Sequence, residues 1–154
     1  MPLTVTPRHP ALGPEVRGID MRKPMDPTTV RAVRDAWTRH LVLIFPDQPI
    51  TDQEHVAFTR QFGEPEIFHQ TSLHLRSDDV KEIFLVSNVD ARNRIVMPSD
   101  PGQKQLNSSR QWHTDSSYKT LPSIGSLLHG IEISRTGGIT QFINMYMVYD
   151  ELPD

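Results

Sequence analysis

The chain has no cysteine, which removes disulfides, thiolate metal sites and cysteine nucleophiles together. It has no run of lysines or arginines, and its net charge is −3. Nucleic acid and anionic membrane are therefore not expected partners, since both select a concentrated basic surface. No apolar stretch approaches membrane-spanning length, and the N-terminal MPLTVTPRHPAL has no apolar core of a secretion signal. A cytoplasmic enzyme or binding protein is the expectation. Glycine is scarce beside proline, eight against thirteen, which predicts many short elements with stiff connections in place of long helices. What remains, 36% hydrophobic and 23% charged residues in a chain of 154, suits one domain, 1–154, with a real core.

Short β segments are predicted over 3–6 and 15–20. Asp26-Pro27 starts a helix, with a carboxylate cap and proline in the first turn. Val30, Val33 and Trp37 then form an apolar stripe reaching Leu41. Leu41 to Phe45 is an apolar run that predicts a buried strand closed by Pro46. Thr51-Asp52-Gln53-Glu54 matches a capping box. The helix that it opens carries Phe58 and Phe62 on one face and is expected to end at Gly63. Residues 65–80 are unpatterned and predict a loop; 82–89 predict a strand, and 90–111 a long polar loop of the kind that is often functional. Strands are expected again over 123–133 and 140–143, separated by a Gly137-Gly138 turn. Asn144 caps a last helix whose Met145, Met147 and Tyr149 read as packing. The order is α+β, mostly β.

Trp112-His113-Thr114-Asp115 carries the chemistry. In an extended segment residues i and i+2 project from one face, near enough to share an ion. An imidazole and a carboxylate without sulfur suit a divalent first-row metal such as Fe(II), whose two-histidine, one-carboxylate triad leaves positions open for other ligands. An isolated H-x-D triplet is more often a surface histidine followed by a turn former. Its surroundings weaken that reading: a long polar loop before it, a tryptophan beside it, and a Gly-Gly-x-Thr turn about one hairpin later.

The stretches WHTDSSY, SIGSLLHGIEI and GGITQFINMYMVYDELP, preceded in order by RGID, LVLIFPDQPITDQEHVAFTRQFGE and SNV, resemble the taurine and 2,4-dichlorophenoxyacetate dioxygenase (TauD/TfdA) family. The resemblance runs along nearly all of the chain and reproduces the N-terminal half of the family's pattern. It implies an incomplete double-stranded β-helix (jelly-roll, cupin-like) with flanking helices, Fe(II) as metal and 2-oxoglutarate as cosubstrate. His113 and Asp115 match the first two iron ligands. Thr140 matches the hydroxyl that bonds the 2-oxoglutarate carboxylate, although Ile139 stands where the family commonly has aspartate. Ser109, Phe68 and His69 fall where members line the substrate pocket, and Trp112 where a side chain packs beside the site. The implied reaction hydroxylates a small organic acid, sulfonate or aryloxyalkanoate with O2, releasing succinate and CO2. The HTDSSY stretch leans towards the aryloxyalkanoate branch.

The family's second histidine ligand and the arginine that pairs with 2-oxoglutarate have no match here. His129 comes too early to be that ligand and reads as a strand residue facing a pocket or a neighbour. The 154 residues alone are therefore expected to be inactive and poorly stable or self-associating, and a homo-oligomer is possible. The rival reading is a catalytically inactive truncated remnant acting at most as a binding or interaction module. A zinc hydrolase built on the same histidine and aspartate would need a further ligand.

Overall fold

The computed structural model describes residues 2–67, 80–89, 92, 94–97, 99 and 111–153. The chain divides into two compact units, one made of Met1–Gly63 with His129–Asp154, the other of Glu64–Leu128.

In the first unit β1 (Thr4–Thr6) pairs antiparallel with β2 (Glu15–Arg17), Val5 opposite Val16. Gly18, just past β2, has φ +88, and a Cβ there would lie 2.2 Å from the Pro2 carbonyl oxygen. Only glycine allows both the left-handed backbone and that approach. Helix α1 (Pro27–His40) starts as its sequence predicts. The Asp26 carboxylate accepts from the Thr28 and Thr29 amides, and Pro27 sits where no amide partner is needed. Helix α2 (Asp52–Arg60) opens on a complete capping box: Thr51 Oγ1 accepts from the Glu54 amide, and Glu54 accepts from the Thr51 amide. It ends at Arg60, followed by a turn through Phe62, three residues short of the expected Gly63.

The core of this unit is Val16, Met21, Val33, Val56, Phe58 and Phe62. Phe58 meets Phe62 edge-on at 5.3 Å between centroids and Phe45 at 5.9 Å, and Trp37 meets Phe62 at 6.5 Å, the tilted geometry that aromatic pairs prefer. Polar side chains fix the connections. Gln48 accepts from the Met21 amide and donates to the Ile19 carbonyl. Helix α3 (Met145–Asp150) is capped by Asn144, whose Oδ1 accepts from the Tyr146 and Met147 amides while Nδ2 donates to the Ala11 carbonyl.

The expected strand over Leu41–Phe45 is not formed. Leu41 is the C-cap of α1, with φ 66 and its amide on the Trp37 carbonyl, so the apolar run begins by closing a helix. Beyond that cap the run makes a single parallel bridge, Ile44 to Glu15, and Ile44 itself is exposed. The strands expected over 82–89, 123–133 and 140–143 are also absent. Only isolated bridges occur in the first, such as Val89 to Ile95, and no strand occurs in the other two. An extended segment becomes a strand when a neighbour completes its hydrogen-bond ladder, and among the described residues none does so. Leu121, Ile124, Leu128, Ile131 and Ile133 are all at least 68% exposed. Met145, Met147 and Tyr149, expected to pack, are exposed too. Strand among the described residues is thus confined to β1 and β2, short of the β-dominated architecture expected. No helix is long and apolar enough to cross a membrane among the described residues.

Candidate metal centre

His113 and Asp115 lie in the second unit, on an irregular segment that enters a turn at Asp115. Their side chains meet: Nε2 of His113 is 3.2 Å from Oδ1 of Asp115, both groups about half exposed. The other polar atom of each is tied down. Nδ1 of His113 lies 2.7 Å from the Gln111 carbonyl oxygen. A carbonyl only accepts, so Nδ1 carries a proton, and the tautomer with that proton alone offers a lone pair at Nε2. Oδ2 of Asp115 accepts from the Ser126 hydroxyl at 2.7 Å, leaving Oδ1 free.

Two lone pairs facing each other at 3.2 Å repel unless a proton or a cation lies between them. Donors at right angles around a divalent ion, each at about 2.1 Å, would stand about 3.0 Å apart. The pair therefore fits adjacent ligands of such an ion, with imidazole and carboxylate being donors that Fe(II) accepts and with outer partners of the kind that orient metal ligands. No group of three His, Cys, Asp or Glu gathers as a metal site among the described residues.

The turn after Asp115 is anchored at Glu66. That carboxylate accepts from Ser116 Oγ at 3.2 Å, from Ser123 Oγ at 3.2 Å, and from the Lys119 ammonium, while the Ser123 and Ser116 hydroxyl oxygens lie 3.1 Å apart. The Lys119 ammonium, ahead of the hydroxyls, holds the Glu66 carboxyl below the usual carboxylate range against the opposing effect of burial. Ser116, next to Asp115, has φ 55, a conformation that costs a non-glycine residue about 1 to 3 kcal/mol and that these bonds offset.

Thr140 belongs to the first unit and is exposed, just past Gly137 and Gly138, both in left-handed backbone (φ 74 and 66) as a tight turn requires. Trp112, expected to pack beside the site, is 64% exposed, on a segment that is irregular where a strand would have aimed it at neighbours. His129, also in the first unit, stacks edge-on with His55 of α2 at 6.0 Å. Ser109, Phe68 and His69 lie outside the described residues. Ser126 and Glu66 went unnoticed in the sequence. A serine inside the apolar run 124–128 signals a polar neighbour; Glu66, in an unpatterned segment, gives no such signal.

The model of the taurine catabolism dioxygenase TauD, TfdA family matches residues 4–154, and the chain belongs to that family. It is 30% identical over 155 residues to the alpha-ketoglutarate-dependent 2,4-dichlorophenoxyacetate dioxygenase of Cupriavidus pinatubonensis, covering 99% of this chain and 54% of that protein. It is 31% identical over 153 residues to the alpha-ketoglutarate-dependent sulfate ester dioxygenase of Pseudomonas putida, covering 99% and 45%. Among solved structures, the crystal structure of AAD-2 in complex with Mn(II) and N-oxalylglycine is similar with a TM-score of 0.64 at 26% identity, over 79% of this chain and 39% of the other. The chain spans about half the length of the curated relatives that it matches.

Proposed function

We propose that this protein is an Fe(II)- and 2-oxoglutarate-dependent dioxygenase that hydroxylates a small organic acid, sulfonate or aryloxyalkanoate, with release of succinate and CO2. The observation that carries the reading is the approach of His113 Nε2 to Asp115 Oδ1, with the remaining polar atom of each side chain engaged elsewhere. Family membership and relatives named as alpha-ketoglutarate-dependent dioxygenases support it, as does a similar fold solved with Mn(II) and N-oxalylglycine.

In this reading His113 and Asp115 hold the iron. The Thr140 hydroxyl donates to the 2-oxoglutarate carboxylate, and Ser109, Phe68 and His69 contribute to substrate selection. Bound iron supplies the activation of dioxygen, coupled to oxidative decarboxylation of the cosubstrate. The protein's own work is to keep His113 in the tautomer that offers Nε2, to keep Asp115 aimed, and to set 2-oxoglutarate and substrate in one orientation. The chain belongs to a single jelly-roll domain of a cytoplasmic enzyme. His113 and Asp115 are two of the three iron ligands in this reading, and His129, beside His55, is not the third.

The test is anaerobic addition of Fe(II) and 2-oxoglutarate to the whole protein. The visible charge-transfer band of the chelate is expected, together with succinate formation once O2 is admitted. His113→Ala should abolish both, and His129→Ala should leave iron binding largely intact. If His129→Ala removed the iron and His113→Ala did not, the ligand assignment would fall. Absence of the band in the whole protein would favour the inactive binding module instead. Comparing aryloxyalkanoates, alkyl sulfates and sulfonates as the acid that accelerates succinate release then selects the substrate class.

A further inference from the structure

Asp115 is an exposed carboxylate on a chain that is neither helix nor strand, so no regular element fixes its direction. What fixes it is a set of side chains within the second unit. Ser126 Oγ donates to Oδ2 of Asp115 at 2.7 Å. Between those two residues the chain turns back on itself, and Glu66 fastens the turn at three points: Ser116 directly after Asp115, Lys119 in the middle, and Ser123 shortly before Ser126. The Ser123 and Ser116 hydroxyl oxygens also meet at 3.1 Å across the base of the loop. Asp115 and its hydroxyl partner are thus the two ends of one turn, and a single carboxylate holds that turn shut.

We infer that Ser126 and Glu66 are positioning residues for the metal-binding carboxylate: Ser126 occupies Oδ2 so that Oδ1 alone faces His113 Nε2, and Glu66 clamps the 116–123 turn that brings Ser126 to Asp115. The inference rests on His113 and Asp115 being a metal pair. A carboxylate with both oxygens free can rotate or grip an ion through both atoms; a hydroxyl on one oxygen selects one-atom coordination. Second partners of this kind contribute about 10- to 100-fold to metal affinity. The effect belongs to the hydroxyl, so threonine at 126 retains it and alanine does not. Glu66 acts one step further out, through the serines, and its loss has the same sign with a smaller size.

The test measures Mn(II) affinity of the whole protein by titration followed by electron paramagnetic resonance, and the visible ligand-field bands of bound Co(II). Ser126→Ala should weaken Mn(II) binding by about 10-fold or more and shift the Co(II) bands, while Ser126→Thr restores both. Glu66→Gln should weaken binding less, with cooperative thermal unfolding retained as the check that the chain is folded. If Ser126→Ala binds Mn(II) as wild type does, with unchanged Co(II) bands, while His113→Ala abolishes binding, the positioning role is overturned and the metal pair stands. If His113→Ala binds Mn(II) undiminished, the pair itself is wrong and the positioning role falls with it. Loss in Ser126→Ala that Ser126→Thr does not restore overturns the hydroxyl's part.

Discussion

At the scale of single residues, proximity of side chains was legible in the sequence wherever partners are close in the chain. His113 and Asp115 stand two positions apart, and even on an irregular segment that spacing brings their side chains to one place. Ser126 and Glu66 act across 11 and 50 or more residues, a distance over which spacing carries no information. His129 shows the same limit, since its partner His55 lies far away in the chain, on α2. That pair has a consequence for stability. Burial, then the charge of His129, pushes the His55 imidazole below its ordinary value of 6.5, and Asp52 opposes them more weakly. The unfolded chain therefore takes up this proton first as pH falls. His55 favours the folded state fully above about pH 6.5 and loses that contribution as pH drops through its depressed folded value. Urea unfolding at pH 7.5 and at pH 5.5 should show a smaller acid-induced loss in His55→Gln than in wild type. Equal losses would mean that the imidazole is not the group responsible.

At the scale of elements, the helices were readable and most strands were not. A helix start is decided within four residues: Asp26-Pro27, the Thr51–Glu54 box and Asn144 all cap where the sequence places them. A strand is decided by a neighbour, and the apolar runs at 123–133 and 140–143 have the composition without a ladder partner among the described residues. Leu41 to Phe45 failed for a different reason, since its first residue was taken by the end of α1. The capping box gives a direct measure of local control. Thr51→Ala removes the hydroxyl that accepts from the Glu54 amide and should lower stability by about 1 kcal/mol in denaturant titration, with Thr51→Ser close to wild type. An alanine variant as stable as the parent would show that α2 is held by its Phe58 face alone.

At the scale of the whole molecule, the distribution of apolar surface is uneven. Phe58, Val16 and Val33 are buried in the first unit, whereas Leu121, Ile124, Ile131, Ile133, Ile139 and Tyr149 stand in solvent. Many exposed large apolar side chains promote association. The 154-residue chain by itself should bind a hydrophobic dye strongly and elute above its monomer mass at micromolar concentration. A monodisperse monomer with weak dye binding would contradict that expectation.

The amide of Asn144 bonds the Ala11 carbonyl across 133 positions. Biosynthesis runs from the N-terminus at about 5 to 20 residues per second, so Ala11 leaves the ribosome on the order of 10 s before its partner does. The first unit is thus a lock whose key is cut last: its opening residues must wait, shielded or solvated, until the segment that fastens them has been made.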